Sequence, residues 1–429
     1  MTTQANNTND SSGAQPPTAQ PPAAQHWDVI IIGAGPAGSI AGALLKRRGW
    51  NVLVLEGQRF PRFSIGESLL AHCLDFVEEA GMLPAVEAAG FQFKNGAAFV
   101  RDGEYGDFDF GAKFTPGRDT TFQVERAKFD TLLANEAAKQ GVEIRYEVKV
   151  VDVDTSVESP RVRARDASGN EYDVTARFIL DASGFGRTLP KLLKLEMPST
   201  FPVRNAIFTH VADHAVEGSF DRNKIQVVVH PQHRDVWYWL IPFPEGRCSL
   251  GVVARKEFFD AYPVDPEQRI KTLVSEEPFL RRVLANAQWD TPVRELGGYA
   301  ANVRAMHGKG FALLGNAAEF LDPVFSSGVT IAMRSASMAT ALLDRELRGE
   351  SVDWTRDFEV PLRKGVDTFR AYVRAWYDGR FQDIMFAKTQ PPAIRAMICS
   401  ILAGYAWDET NPFVAEPERR LEMVAQLCA

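Results

Sequence analysis

This 429-residue sequence has few cysteines, no long apolar run and no excess of positive charge. The four cysteines are scattered, and neither they nor the seven histidines show metal-ligand or disulfide spacing, so we expect no metal site and no disulfide framework. No apolar run approaches the roughly 18 residues that span a bilayer. The net charge of −7 argues against a general nucleic-acid binder. A cytoplasmic protein without membrane or nucleic-acid partners is therefore expected.

The composition is that of a globular protein with a sizeable core, at 45% hydrophobic and 24% charged residues. Residues 1–26 differ, being rich in Thr, Asn, Ser, Gln, Pro and Ala. They have no basic start and no apolar segment, so they are expected to form a disordered tail rather than a secretory signal. A docking segment is the alternative interpretation of this tail.

The ordered chain is predicted to begin at Trp27 with a strand, a glycine turn, a helix and a second strand. Asp28–Ile32 is a short β-branched run, Ser39–Arg48 has helical spacing, and Asn51–Leu55 is again apolar. A strand–helix–strand unit of this size requires a parallel sheet.

The turn carries the motif Gly33-Ala34-Gly35-Pro36-Ala37-Gly38, and Glu56 closes the second strand. In this context the first glycine allows the tight turn, the second admits a pyrophosphate, and the third lets helix and strand pack closely. The helix N-terminus favours phosphate, and the carboxylate can accept hydrogen bonds from a ribose. The sequence therefore predicts a dinucleotide site, the alternative being a glycine turn without a ligand.

The remaining pattern predicts an α/β protein: a Rossmann-like domain, an inserted and mostly antiparallel β domain, and a C-terminal helical region. Further strands are predicted at Gly96–Arg101, Val142–Val153, Arg161–Ala164, Phe178–Asp181, Lys224–His230, Trp237–Pro242, Ser249–Ala254 and Phe311–Leu314, and helices at Ala127–Gln140 and Gly328–Leu347. The expected division is 27–90, 120–195 and 305–347 for the dinucleotide domain, 91–119 and 196–304 for the β-rich substrate domain, and 348–429 for the helical region.

The glycine motif and two later stretches resemble the flavin monooxygenase superfamily. The stretch 178–184 is similar to the strand that returns toward the adenosine end of FAD, and 311–317 to the turn that meets the ribityl chain and pyrophosphate. That family usually has Gly-Asp-Ala where this chain has Asn316, which retains hydrogen bonding but not the charge.

Three further segments resemble the flavin-dependent halogenases, namely 59–70, the WxWxIP stretch within 236–242, and 322–329. In such enzymes, bulky Trp237 and Trp239 would keep the substrate away from the flavin. Core packing is the other explanation of this Trp pair, because both side chains lie on one face of a strand. Trp237 and Ile241 favour the halogenases over the related geranylgeranyl-reductase branch. The glutamate typical of tryptophan halogenases is missing beside Ser326 and Ser327.

Lys94 lies in a segment, 90–99, that resembles the one bearing the catalytic lysine of that family. Between Phe93 and an apolar strand, its amine is expected to be partly desolvated, with a lowered pKa. It would then orient hypohalous acid as an ammonium or form a haloamine as an amine. An ordinary exposed lysine is the alternative.

The resemblance implies FAD, used as FADH2, a separate flavin reductase, a halide ion, and a phenol, pyrrole or aryl-polyene substrate that is free or carrier-bound. It implies cofactor contacts at Gly33, Gly35, Pro36, Ala37, Gly38, Glu56, Arg62, Ser68, Arg126, Asp181, Gly184, Gly315, Asn316, Pro323, Gly328 and Val329, and a halide site at Ser326, Ser327 and Gly328.

Two other functions stay open on sequence grounds. One is an FAD-dependent monooxygenase, dehydrogenase or reductase that does not halogenate, and the other is a non-catalytic flavin-binding subunit. The aromatic-basic segment 369–381 is likewise open: it caps the substrate site, meets an acidic carrier protein, or packs on the core as an amphipathic helix.

Overall fold

The computed structural model describes residues 26–428. The predicted tail lies outside these residues except for His26, which already belongs to the first strand. The strands are β1 His26–Ile32, β2 Val52–Glu56, β3 Gln92–Lys94, β4 Gly96–Arg101, β5 Glu104–Asp109, β6 Thr121–Gln123, β7 Glu143–Tyr146, β8 Lys149–Asp154, β9 Arg161–Arg165, β10 Glu171–Asp181, β11 Glu196–Met197, β12 Asn205–Ala212, β13 Lys224–Val229, β14 Trp237–Phe243, β15 Arg247–Ala254, β16 Arg294–Gly297, β17 Asn302–Val303, β18 His307–Gly308 and β19 Phe311–Leu313.

The helices alternate with the first strands and then fill the C-terminal part of the chain. They are α1 Pro36–Arg47, α2 Cys73–Glu79, α3 Leu83–Glu87, α4 Arg126–Lys139, α5 Thr188–Leu192, α6 Lys256–Phe259, α7 Pro266–Glu276, α8 Pro278–Val283, α9 Ser327–Leu347, α10 Val360–Tyr377, α11 Arg380–Met385, α12 Pro392–Leu402, α13 Pro412–Ala415 and α14 Pro417–Cys428. A π-helical stretch, Thr355–Glu359, leads into α10.

The first sheet has a parallel centre in the order β19-β10-β1-β2-β7. Its middle strands are apolar throughout because helices cover the sheet, and α1 packs against both α4 and α9. The carboxyl ends of β1, β2, β10 and β19 meet at one edge, where an open α/β sheet binds its ligand. This arrangement confirms the predicted α/β class.

The second sheet, in the order β16-β12-β15-β14-β13-β4-β5, is antiparallel except for the pair β13 and β4. It is the β-rich insertion that the sequence predicts. One face joins the main core, and the other is covered by α7 and α8. Trp237 and Trp239 of β14 lie on the face that looks toward the first sheet.

Some predicted elements needed correction. The single strand expected over 142–153 is two strands, because Glu147 adopts a left-handed conformation with φ of 59° and breaks the run. The aromatic-basic segment is likewise divided between α10 and α11 by Gly379, whose φ is 91°. Among residues 26–428 no helix is long and apolar enough to cross a membrane.

Candidate active site

A cavity of about 520 Å³ opens at the carboxyl edge of the parallel sheet. Its lining includes thirteen residues that the sequence singles out: Gly33, Gly35, Pro36, Ala37, Glu56, Arg62, Ser68, Arg126, Gly184, Asn316, Pro323, Gly328 and Val329. Trp237, Trp239 and Ser326 line it as well. The structure thus brings together residues from six separate stretches of the chain.

Gly38 and Gly35 have different tasks in the turn. A Cβ built on Gly38 would lie 1.9 Å from the carbonyl oxygen of Gly33, so any side chain there would prevent the close packing of α1 on the turn. Gly35 instead faces the cavity, and the nearest atom to its hypothetical Cβ is Nη2 of Arg62, at 3.4 Å. The open space above Gly35 and the nearby guanidinium suit a pyrophosphate.

Glu56 ends β2 with its carboxylate almost fully buried at the cavity wall. Its two oxygens accept hydrogen bonds from the backbone N–H groups of Ala34, at 2.8 Å, and Gln58, at 2.9 Å. Each carboxylate oxygen has a further lone pair, so ribose hydroxyls can still bind. Lys149 and Gln58 line the same end of the cavity, and no sequence motif indicates either of them.

The loop between β2 and α2 is braced by a second arginine. Nη1 of Arg126 donates to the carbonyl oxygen of Ile65, at 2.6 Å, and its Nε and Nη2 bind Asp130 in a bidentate pair. Asp130 also lies 3.3 Å from Nη1 of Arg62. One buried carboxylate therefore orients both cationic side chains at the cavity wall.

Asn316 supplies a direct test of whether this cavity fits FAD. Its Oδ1 is buried and has no hydrogen-bond partner within the protein, while the residue lines the cavity. A buried amide oxygen without a donor is costly, so a ligand hydroxyl is the expected partner. The ribityl chain of FAD offers such hydroxyls, and the residues present fit this cofactor.

Four of the cofactor and halide contacts that the resemblance implies do not line the large cavity, namely Gly38, Asp181, Gly315 and Ser327. The Asp181 carboxylate is fully buried away from the cavity and accepts hydrogen bonds from the backbone N–H groups of Ser183, at 2.8 Å, and Leu189, at 2.7 Å. Gly315, with φ of 51°, packs against Ala332. In the structure these four positions belong to the turns and helix starts around the cavity, and their predicted ligand contacts stay predictions.

The Trp pair forms one wall of the cavity. The rings of Trp237 and Trp239 lie 6.0 Å apart, and each indole N–H is bound on the protein side, to Tyr377 Oη and Ser249 Oγ respectively. A Cβ on Gly251 would lie 2.2 Å from the Trp239 ring, so glycine leaves the space that this indole occupies. The two Trp side chains therefore pack in the core and also line the cavity.

The aromatic segment of α10 packs on the core behind that wall. Tyr372 and Trp376 are fully buried, and the Trp376 ring lies 6.5 Å from Trp237 and 6.1 Å from Phe325. The core-packing interpretation of 369–381 is therefore correct for these aromatic side chains.

The loop before α9 forms another part of the cavity wall. Ser326 adopts a left-handed conformation with φ of 55°, and α9 begins at the next residue. The N-terminus of this 21-residue helix carries positive partial charge and unpaired N–H groups, and Gly328 and Val329 in its first turn line the cavity. An anion is favoured there.

Lys94 is fully buried at the end of β3 and does not touch the large cavity. Its Nζ donates to Ser68 Oγ, at 2.8 Å, and to the carbonyl oxygen of Leu69, at 2.7 Å. No carboxylate pairs with it among the described residues, and burial lowers the pKa of Lys94 to about 7. An ordinary exposed lysine is excluded.

A second cavity, of about 10 Å³, lies beside Lys94. Its lining is apolar apart from Lys94 and Ser326, and includes Phe99, Val227 and Phe325. Ile225 and Ser326 line both this cavity and the large one, so these two residues form the partition between them. No sequence motif indicates this position for Ile225.

A buried ionisable pair on the large cavity was also missed. Glu67 lines the cavity and is only 2% exposed, and its Oε1 lies 2.7 Å from Nε2 of His210 on β12. The two residues are 143 positions apart, so no local pattern could join them. No group of three or more potential metal ligands occurs within residues 26–428.

Comparisons with known proteins agree with this geometry. The FAD binding domain family matches residues 26–358. A solved flavoprotein/dehydrogenase from Cytophaga hutchinsonii is 44% identical, with a TM-score of 0.91 over 94% of this chain and 99% of its own. The solved flavin-dependent brominase Bmp2 is 26% identical, with a TM-score of 0.82 over 94% of this chain and 100% of its own.

Among curated proteins, a 1H-pyrrole-2-carbonyl-[peptidyl-carrier protein] chlorinase of Pseudomonas fluorescens is 27% identical over 88% of this chain and 89% of its own length. These matches confirm the predicted cofactor, FAD, and the resemblance to flavin-dependent halogenases. The chain belongs to the FAD binding domain family and is an FAD-dependent oxidoreductase related to the flavin-dependent halogenases.

Proposed function

We propose that this enzyme uses FADH2, O2 and a halide ion to make hypohalous acid, and that Lys94 directs the halogen onto an electron-rich aromatic ring. The observation that carries this proposal is the partition between the two cavities. Ile225 and Ser326 are shared by both cavities, and Ser68 lines the large one while its Oγ holds Lys94. A small oxidant formed in the large cavity would therefore have only a short distance to travel to Lys94.

The protein groups around the large cavity have separate tasks in this scheme. FAD, when bound, supplies the redox chemistry with O2. Trp237 and Trp239 occupy the space in which an aromatic substrate would meet the flavin, so hydroxylation of the ring is prevented. The N-terminus of α9, with Ser326 and Gly328 on the cavity wall, favours the halide.

Lys94 is suited to receive the oxidant because its amine is largely neutral above pH 7. A neutral amine has two N–H groups and one lone pair, and both N–H groups have acceptors in Ser68 Oγ and the Leu69 carbonyl. The lone pair is then free for the small cavity that Lys94 lines. It can attack hypohalous acid to give a haloamine and water, while the protonated form can orient the acid by a hydrogen bond.

The substrate in this scheme is a phenol, pyrrole or aryl-polyene ring, free or carrier-bound, and a separate flavin reductase supplies FADH2. The curated relatives include carrier-protein pyrrole chlorinase and brominase enzymes. Since the cavity beside Lys94 holds only about 10 Å³, a ring enters only when side chains such as Phe325 or Leu402 move.

A second candidate is an FAD-dependent monooxygenase, dehydrogenase or reductase that does not halogenate. Two observations favour it: the 44% identical relative is called a flavoprotein/dehydrogenase, and the cavity beside Lys94 is far too small for a ring. In that case the aromatic or polyketide-type substrate would have to reach the flavin through the large cavity.

One experiment separates the two. The FAD-loaded enzyme is incubated with a flavin reductase, NADH, O2 and bromide over a panel of phenols and pyrroles, and product masses are measured. Bromide-dependent brominated products support halogenation. Oxidised or hydroxylated products that form equally without bromide, or bleaching of FAD by substrate without oxygen and reductase, support the second candidate.

A further inference from the structure

Glu67 and His210 form a buried acid–base pair on the wall of the flavin cavity that the scheme above leaves unused. Glu67 reaches the cavity, and His210 lies behind it on β12. Their side chains meet at 2.7 Å, between Oε1 and Nε2. Buried ionisable groups are costly to keep, so a pair placed at a cofactor cavity calls for a functional explanation.

The surroundings of the pair are mostly aromatic. The His210 ring lies 5.7 Å from Phe63 and 5.2 Å from Phe243. The charged groups that face it are Glu67, Glu125 and Arg247, and a further guanidinium, that of Arg294, lies over the outer face of Phe63.

Burial alone would lower the pKa of His210. The hydrogen bond and the negative charge of Glu67 outweigh it, so the pKa of His210 lies above its usual value. His210 therefore holds its proton more firmly than a free imidazole does. His210 keeps 13% of its side chain exposed, through which that proton can be replaced from solvent.

Halide oxidation consumes a proton. With X for the halogen, FADH2 + O2 + X⁻ + H⁺ gives FAD + HOX + H2O: the flavin and the halide each lose two electrons and O2 gains four. Two carboxyl groups line the cavity among its described residues, Glu56 and Glu67. The two oxygens of Glu56 accept hydrogen bonds from the backbone N–H groups of Ala34, in the glycine turn, and Gln58, just after β2, and its predicted partner is a ribose. Glu67 belongs instead to the loop that also bears Ser68, the acceptor for Lys94.

We propose that Glu67 delivers this proton to the flavin cavity and that His210 is the positioning residue that holds and renews it. The proton moves from Nε2 of His210 to Oε1 of Glu67, and from the protonated carboxyl into the cavity. This inference rests on the proposed function for the identity of the oxidised ion. The coupling of the pair to the flavin does not depend on that identity.

The test compares the FAD-loaded wild type with His210→Gln and Glu67→Gln. The control is His230→Gln, which removes another buried histidine, 3.7 Å from Glu276, that does not line the cavity. Retained FAD absorbance and unfolding temperature show which variants are folded. Two different substitutions keep the test valid if one of them fails to fold.

The first measurement is the pH dependence of the FAD midpoint potential between about pH 6 and pH 9. Reduction places negative charge in the cavity and strengthens proton binding by a nearby pair. The wild type and His230→Gln should therefore take up more protons per flavin than His210→Gln and Glu67→Gln. Identical slopes in all four proteins would overturn the proposal.

The second measurement is bromide oxidation, followed by trapping hypobromous acid with taurine. Loss of a positioned proton donor should lower kcat by about 100-fold or more and remove the alkaline limb of its pH profile, with little change in the KM for bromide. Unchanged pH profiles in both variants would also overturn the proposal. If the wild type oxidises no bromide at all, the proposed function fails, and the potential measurement alone decides whether the pair serves the flavin.

Discussion

The two cavities on either side of Ile225 and Ser326 are built from different materials. The large one is made of backbone turns, helix N-termini and charged side chains at one edge of a parallel sheet. The small one is made of apolar side chains from β4, β13 and α12 around a single buried amine. The turns that suit a cofactor thus depend on local backbone geometry, whereas the surroundings of Lys94, which direct the halogen in the proposed function, depend on side chains that only tertiary structure brings together.

Gly35→Val is the strongest way to disable the large cavity alone. The valine side chain would occupy the pyrophosphate position, so FAD affinity should fall by about 1,000-fold or more. Because a Cβ at Gly35 comes no closer than 3.4 Å to another atom, the fold should persist. Gly38→Ala is the contrasting control, since its Cβ would meet Gly33 at 1.9 Å and disturb the fold itself. Stoichiometric FAD absorbance in purified Gly35→Val would refute this role of the turn.

Lys94→Met probes the small cavity through stability. Burial lowers the pKa of Lys94 from 10.5 to about 7, so between those values the unfolded chain binds a proton that the folded chain lacks. Lys94 should therefore raise the free energy of unfolding of the wild type by up to about 1.4 kcal/mol per pH unit in this window. The Lys94→Met variant should not show this rise. Urea unfolding of both proteins at pH 7.5 and 9.5 measures it. An equal difference between them at both pH values would contradict a buried, neutral amine.

Ile225→Trp tests the partition itself. A larger side chain between the cavities should obstruct passage to Lys94 and lower halogenated product by about 10-fold or more, while FAD content and bromide oxidation persist. Val228→Ile enlarges a residue on the opposite face of the same strand and should change neither. Product formation at the wild-type level in Ile225→Trp would show that the two cavities communicate elsewhere.

Asn316→Leu has the smallest expected effect. It removes the unpartnered Oδ1 at the cavity wall, and the loss of one hydrogen bond should weaken FAD binding by about 10-fold. Asn316→Asp keeps an acceptor oxygen and should remain within about threefold of the wild type. Isothermal titration of the apoproteins with FAD gives both values. Equal affinity for the leucine variant would mean that this oxygen does not face the cofactor.

The sequence predicts the large cavity well because its determinants are local. The β1–α1–β2 unit, its three glycines and Glu56 occur within 31 residues of one another and have one common structural explanation. Asp181 shows where such reasoning stops. The resemblance implies a cofactor contact there, whereas in the structure the Asp181 carboxylate is buried outside the cavity lining and accepts hydrogen bonds from the backbone N–H groups of Ser183 and Leu189. Residue type and spacing do not reveal which hydrogen bonds the protein makes internally.

The small cavity was predicted only in part. Phe93 and the apolar strand after Lys94 indicate burial, and the resemblance to halogenases gives the amine a role. The acceptors Ser68 and Leu69 come from a loop about 25 residues earlier and form no pattern with Lys94. The pair Glu67 and His210 escaped for the same reason, since a loop residue and a β12 residue 143 positions apart meet only in the tertiary structure.

The most direct test of the account is a single turnover of Lys94→Ala. The FAD-loaded variant is reduced, mixed with oxygenated bromide and an aromatic substrate, and followed by stopped-flow absorbance and product mass. The account predicts that flavin reoxidation proceeds as in the wild type while brominated product falls by about 100- to 10,000-fold, with hydrogen peroxide or hypobromous acid released instead. Lys94→Arg should not restore activity, because its guanidinium stays charged. Brominated product at the wild-type level from Lys94→Ala would contradict the account.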